Sequence, residues 1–199
     1  MRSLYPALVT AADAVGTPQI RAAGTVGGNL NQRPRCWYFR NEEFNCLKKG
    51  GARCFAVEGE NQYHAIFGDG PCHIVHPSSL AVPMVAYGAT FRIVGPKGER
   101  LVPAAEYFTL PVKNVRTENV LAPDELLTHA ILPPPGSVKS GHYEVRYKTS
   151  HDWPIAFATT PGCAASACTE PPTVPSSSAN TAPVATAVSM SLTSSGSSR

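Results

Sequence analysis

Four of the six cysteines lie within one stretch of 37 residues and could enclose one metal centre. The gaps between them are nine, seven and seventeen residues, without the paired Cys-x₂₋₄-Cys spacing common in zinc sites. An iron–sulfur cluster accepts wider spacing because each thiolate binds its own iron. The spacing therefore favours an iron–sulfur cluster, while structural zinc and plain buried thiols stay open as alternatives. The four residues are Cys36, Cys46, Cys54 and Cys72.

Basic residues surround these cysteines and could offset thiolate charge, although each could equally belong to a solvated loop surface. A glycine pair at 50–51 permits a tight turn that could aim backbone N–H groups at sulfur. We interpret His64, His73 and His76 as structural, because four thiols already suffice for a cluster. The basic residues are Arg33, Arg35, Arg40, Lys48, Lys49 and Arg53.

A second signal is the small-residue turn from Thr25 to Asn29, which contains Gly27 and Gly28. Adjacent glycines let the backbone approach a flat or phosphorylated ligand, although such a pair is often only a tight connection. The Thr25 hydroxyl and the Asn29 amide add hydrogen-bonding groups suited to a polar heterocycle or a ribityl chain. Beside a four-thiol cluster, this turn indicates electron transfer.

Helices and strands interleave around these two signals, which predicts an α+β fold with an antiparallel sheet. Helical spacing predicts helices over 3–16 and 80–87, and residues 17–21 are expected to be extended. Alternation predicts strands over 89–94, 99–103, 126–132 and 141–149.

Composition excludes several classes of protein. A net charge of +3 without a long basic run does not favour nucleic-acid binding. The sequence has no stretch of 18 apolar residues, so no membrane span is predicted. The N-terminus does not resemble a signal peptide. From Thr160 the chain is dominated by Ala, Ser, Thr and Pro, so we predict a disordered tail over 159–199. Cys163 and Cys168 in that tail are expected to be free thiols.

Residues 1–158 resemble the FAD-binding subunit of the molybdenum hydroxylases, the family of xanthine dehydrogenase, carbon monoxide dehydrogenase and aldehyde oxidoreductases. The resemblance rests on TVGGNL, on the long segment from RCWYFR to the fourth cysteine, and on HPSSLA. The segment from Arg35 to Ala81 resembles the subgroup with an extra 4Fe–4S cluster, which includes periplasmic aldehyde oxidoreductase and 4-hydroxybenzoyl-CoA reductase. The resemblance implies that Cys36, Cys46, Cys54 and Cys72 are the cluster ligands.

The same resemblance implies a set of FAD contacts. Ser79 stands where the family usually has aspartate, so one carboxylate contact is lost. The implied FAD-binding residues are Thr25, Gly27, Gly28, Asn29, Ser79, Leu127 and Lys148.

The resemblance also implies a domain order. Residues 1–110 are expected to be part of a PCMH-type FAD-binding domain, its second subdomain, with the iron–sulfur insertion at about 33–75. Residues 111–158 would begin an antiparallel sheet domain like the C-terminal domain of the CO dehydrogenase flavoprotein. The family's Gly-rich pyrophosphate loop would precede Met1. The change of composition after HDWPIAFAT is what a shifted reading frame would give, so we expect a truncated or frame-shifted copy.

The implied function is electron transfer from iron–sulfur centres to FAD and then to an external acceptor, within an oxidoreductase of the aldehyde or xanthine type. Partner subunits would carry the molybdenum cofactor (large subunit) and 2Fe–2S centres (small subunit). The chain would be cytoplasmic, or periplasmic if an exported partner carries it. The alternative is a non-enzymatic, zinc-stabilised interaction module or a non-functional fragment.

For residues 1–199 alone, the resemblance predicts FAD binding that is at best micromolar. The pyrophosphate would lack its cradle of N–H groups, and each charge-assisted hydrogen bond lost is worth roughly 1.5–3 kcal/mol. A fluorescence titration of the purified chain with FAD measures this, and stoichiometric FAD retained through gel filtration would contradict it.

Overall fold

A three-stranded antiparallel sheet forms where the sequence alternates between apolar and polar residues. The computed structural model describes residues 4–68, 70–135, 139–148 and 151–163. The strands of this sheet are β1 (Thr90–Gly95), β2 (Gly98–Pro103) and β3 (Leu126–Ile131), in the order β2-β1-β3. The turn between β1 and β2 ends at Gly98, whose φ of +116° suits glycine. The predicted α+β fold with antiparallel pairing is confirmed.

Short helices surround this sheet and enclose the core. Phe91 and Ile93 of β1 are fully buried, and the Tyr107 ring meets Phe91 edge-on with 4.8 Å between centroids. No helix among the described residues is long and apolar enough to cross a membrane. The helices are α1 (Pro6–Asp13), α2 (Pro18–Ala23), α3 (Val26–Leu30), α4 (Trp37–Arg40), α5 (Ala81–Ala86) and α6 (Ala104–Tyr107), with a 3₁₀ turn at Leu47–Lys49.

The extended segment predicted over 17–21 is wrong, because α2 begins there. Thr17 caps this helix, and its hydroxyl accepts a hydrogen bond from the backbone N–H of Ile20 at 3.3 Å. Pro18 occupies the first turn, where its missing N–H costs no hydrogen bond. A Thr-Pro pair is therefore a helix-start signal here.

A second, two-stranded sheet packs against α1 and α5. It consists of β4 (Lys139–Val145) and β5 (Ala156–Cys163), so the predicted strand at 141–149 begins and ends earlier. The disorder predicted from residue 159 is wrong for 159–163, because backbone pairing with β4 extends the strand despite its low-complexity composition. Residues 164–199, including Cys168, lie outside the described residues.

The buried carboxylate of Glu118 links the chain after α6 to the cysteine segment, residues 33–75. The Lys48 side chain is only 1% exposed, and its Nζ lies 2.6 Å from Glu118 Oε1. Lys48 Nζ also donates to the carbonyl of Val115 at 2.7 Å. Arg33 binds both Glu118 oxygens, with Nε at 3.1 Å from Oε2 and Nη2 at 3.2 Å from Oε1. Two cations from the cysteine segment thus share one anion from a distant segment.

We predict that Glu118→Gln lowers the free energy of unfolding by about 3 kcal/mol or more, because Lys48 would stay buried without a carboxylate. Urea unfolding measures the change. The control is Glu99→Gln, whose exposed pair with Arg92 should be worth at most about 1 kcal/mol. Equal losses in the two variants would show that the buried pair has no special role.

Candidate functional site

The TVGGN segment folds as the first turn of α3. Thr25 is its N-cap, and the Thr25 hydroxyl accepts a hydrogen bond from the Gly28 N–H at 2.9 Å. Leu30, at the other end of the helix, is fully buried and anchors it in the core. A Cβ added at Gly28 would lie 3.0 Å from Thr25 Oγ1. Glycine therefore keeps the cap tight and the helix surface bare.

A buried serine joins this helix to α5. Ser78 Oγ donates to Asn29 Oδ1 at 2.7 Å and accepts from the Ala81 N–H at 3.0 Å. The Ser78 hydroxyl thus satisfies the backbone N–H of Ala81, the first residue of α5. Because the Asn29 oxygen is engaged, its Nδ2 donor is the group that can serve a ligand.

A cavity of about 1130 Å³ opens beside α3, large enough for a dinucleotide-sized ligand. Five residues that the sequence assigned to FAD line it: Thr25, Gly28, Asn29, Ser79 and Lys148.

The other two predicted FAD contacts, Gly27 and Leu127, lie beside each other. A Cβ added at Gly27 would be 3.6 Å from the Leu127 carbonyl oxygen. Within the described part of the chain, neither residue is among those that line the cavity.

His76 also lines this cavity, a role that the sequence did not suggest. Its Nδ1 accepts from the Ser78 N–H at 3.3 Å, and its ring stands edge-on to Phe108. Burial lowers the pKa of His76 to about 4, so the ring is neutral at pH 7. Its Nε2 is buried and, among the described residues, without a hydrogen-bond partner. An orphaned polar atom in the cavity wall fits a polar ligand such as FAD.

The four central cysteines gather around a second, smaller cavity. Cys46 and Cys72 are 6% and 8% exposed, Cys36 and Cys54 are half-buried, and all four are free thiols. Burial, reinforced by the neighbouring Cys54, raises the pKa of the Cys72 thiol to about 11, so metal binding would have to displace a proton. Burial also raises the pKa of the Cys36 thiol. Four soft donors around one cavity fit an iron–sulfur cluster, in which each thiolate binds its own iron.

The four thiols line one cavity but are not arranged around a single coordination point. In the ranges that the structure describes, no group of three or more His, Cys, Asp or Glu side chains could hold a single metal ion. The rings of Tyr38, Phe39 and Phe55 line the cavity. Phe44, which does not line it, stands edge-on to Tyr38 and to Phe55 at centroid distances of 5.0 and 5.2 Å. An aromatic wall limits the access of water to such a site.

The basic residues expected to neutralise the thiolates are mostly engaged elsewhere. Of the six, Lys48 alone lines the cysteine cavity. Arg35 lies over the Trp153 ring, with 4.2 Å from its Cζ to the ring centroid, and both residues line the larger cavity. The other four have the following partners: Arg33 with Glu118, Arg40 with the Pro34 carbonyl, Lys49 with the Asn41 carbonyl and Arg53 with Glu58.

The glycine pair at 50–51 forms the expected tight turn. Gly50 has a φ of +117°, and a Cβ at Gly51 would overlap the Asn45 carbonyl oxygen at 1.7 Å. The Gly51 N–H donates to the Cys46 carbonyl oxygen at 2.9 Å rather than to a sulfur. The turn therefore positions the Cys46 backbone.

The two cavities share a wall. Cys36 and His64 line both of them, and His64 Nε2 lies 3.1 Å from Cys36 Sγ. Burial lowers the pKa of His64, which favours the neutral ring. This contact goes beyond the structural role expected of His64, and its 28-residue separation from Cys36 gives no periodic signal in the sequence.

Known proteins are similar to this chain in sequence and in fold. The family described as the FAD binding domain in molybdopterin dehydrogenase matches residues 1–135. The aldehyde oxidoreductase FAD-binding subunit PaoB of Escherichia coli (strain K12) is 35% identical over 154 residues, covering 76% of this chain and 48% of that protein. The chain thus spans about half the length of this curated relative.

Among solved structures, reconstituted CO dehydrogenase from Oligotropha carboxidovorans matches with a TM-score of 0.51 and 21% identity, covering 79% of this chain and 39% of that chain. The cyanide-inactivated form of Cu,Mo-CO dehydrogenase matches over the same shares with a TM-score of 0.50 and 20% identity. At such identities these two matches show a shared fold alone. The sequence match over residues 1–135, more than half of the chain, shows that this protein belongs to the family of FAD-binding domains of molybdopterin dehydrogenases.

Proposed function

We propose that this chain is the FAD-binding, electron-transferring part of a molybdenum-containing oxidoreductase of the aldehyde or xanthine type. Electrons would arrive from iron–sulfur centres, pass to FAD and leave to an external acceptor. The family membership and the 35% identity to an aldehyde oxidoreductase FAD-binding subunit support this assignment. The substrate would be oxidised on another subunit, so no residue here needs to act as a general acid or base.

One observation carries the proposal: the cysteine cavity and the larger cavity share the wall formed by Cys36 and His64. Electron transfer requires donor and acceptor to be close, and a protein contributes by holding its cofactors at fixed positions. A structural zinc module would not need its cysteines beside a ligand cavity of about 1130 Å³. The adjacency therefore favours a redox function over an interaction module.

In the larger cavity, the chain's own residues would hold and orient FAD, whose isoalloxazine ring supplies the electron-accepting chemistry when bound. The bare surface at Gly28 allows close approach, and Asn29 Nδ2 offers a donor held in place by Ser78. Ser79 offers a hydroxyl where related proteins are expected to carry a carboxylate. The Lys148 ammonium adds a positive charge to the cavity lining.

In the cysteine cavity, Cys36, Cys46, Cys54 and Cys72 would hold one 4Fe–4S cluster, which supplies one-electron chemistry when bound. Lys48 places a cation in the wall of that cavity, and it is itself fixed by Glu118. The aromatic residues around the thiols would exclude water.

The partners that we propose are a large subunit with the molybdenum cofactor and a small subunit with 2Fe–2S centres. The protein would be cytoplasmic, or periplasmic together with an exported partner.

Anaerobic reconstitution with iron and sulfide should give about four irons per chain and a brown protein. Cys54→Ser removes one proposed ligand and should lower the iron content sharply. Cys168→Ser, which changes a cysteine outside the proposed set, is the matched control and should keep the full content. A full iron complement in Cys54→Ser, or a colourless zinc-containing protein, would refute the cluster and favour the zinc module.

Gly28→Val should weaken FAD binding by about tenfold or more. The added side chain would crowd Thr25 Oγ1 and project into the surface that FAD must approach, and overpacking of about 1–3 kcal/mol corresponds to that factor. Fluorescence titration measures the affinity. The control is Gly141→Ala in β4, where a Cβ meets ordinary contact at 3.7 Å. Unchanged affinity in a folded Gly28→Val protein would remove α3 from the flavin site.

A further inference from the structure

His64 occupies a place that no other described histidine shares. It lines both cavities, whereas His73 lines the cysteine cavity alone and His76 the larger cavity alone. Its Nε2 lies 3.1 Å from Cys36 Sγ, within the range of a hydrogen bond to sulfur. The one imidazole in the shared wall therefore touches the one proposed cluster ligand in that wall.

Aromatic packing fixes the orientation of this imidazole. The Trp37 ring stands edge-on to it with 5.3 Å between centroids, and the Tyr38 ring lies tilted at 6.1 Å. The His64 N–H donates to the Asn61 carbonyl oxygen at 2.9 Å, which sets the backbone. Two ring contacts and one backbone hydrogen bond thus hold the imidazole at hydrogen-bond distance from Cys36 Sγ.

The direction of this hydrogen bond follows from the chemistry of a metal-bound thiolate. A free Cys36 thiol could donate to the imidazole, but an iron-bound sulfur has lost its proton and can only accept. With the cluster in place, Nε2 must therefore carry the proton and donate it. Hydrogen bonds to the sulfurs are among the determinants of the reduction potential of an iron–sulfur cluster, because they stabilise the more negative, reduced form.

We propose that His64 is a positioning residue. In the wall that the two cavities share, it donates an N–H···S hydrogen bond to Cys36 and thereby raises the reduction potential of the 4Fe–4S cluster. This inference rests on the proposed function, since it requires the cluster. It assigns His64 no role in binding iron.

The test is a potentiometric titration of the reconstituted chain, followed by electron paramagnetic resonance of the reduced cluster, with iron content measured in parallel. His64→Leu removes the donor. We expect the ratio of reduced to oxidised cluster at a fixed potential to fall about tenfold. This corresponds to a downward shift of about 59 mV in the one-electron reduction potential. His64→Gln keeps a side-chain N–H and should restore most of the wild-type potential. His129→Leu is the control, because it removes an exposed imidazole in β3 that lines neither cavity, and it should keep that potential.

The outcomes separate this inference from the proposed function. A wild-type chain that binds no iron–sulfur cluster overturns the proposed function and the inference with it. A His64→Leu chain that holds about four irons at the wild-type potential overturns the inference alone. If His64→Leu fails to load iron, His64→Met, which also lacks a donor, decides: a lowered potential supports the hydrogen bond and an unchanged one refutes it.

Discussion

The carboxylate of Glu118 is the anchor on which the arrangement of the two cavities depends. It is buried, and it satisfies two cations from the cysteine segment, Arg33 and Lys48. Separating such a group from its partners would leave charge in a low-dielectric interior, which costs several kcal/mol. These ion pairs therefore hold the cysteine segment against the chain around Glu118. Glu118 and Lys48 also act on the pKa of His76 in the wall of the larger cavity, in opposite directions and less strongly than burial does.

Hydrogen bonds and packing contacts elsewhere fix the positions of the elements around the two cavities. The Ser78 hydroxyl holds α3 and α5 at a fixed distance through Asn29, at the point where the chain leaves the cysteine segment. Cys36 and His64 then form the wall that the two cavities share. Apolar packing in the core keeps the sheet behind them rigid, with Phe91 and Tyr107 at its centre.

Much of this could be predicted from local sequence, and the remainder depends on contacts between distant residues. Alternation located β1, β2 and β3 within a residue or two, since a half-buried strand has a period of two. The gathering of four cysteines around one cavity followed from their number and from their position in one segment. The partners of Lys48 and Arg33 did not follow, because Glu118 lies far along the chain and looks like an ordinary surface acid. His64 and His76 were missed for the same reason: only the folded chain brings them to the cavities.

The ion pair between Lys48 and Glu118 also limits how far the cysteine segment can be moved as a unit. A graft of residues 33–75 into another flavin domain would carry Lys48 but leave Glu118 behind. The receiving protein would then have to bury an ammonium group with no counter-ion, unless it already placed a carboxylate at the matching position. Conversely, deletion of the segment would strand Glu118 without either of its cations. Gain or loss of such a segment during evolution would therefore require a coordinated change about 70 residues away in the chain.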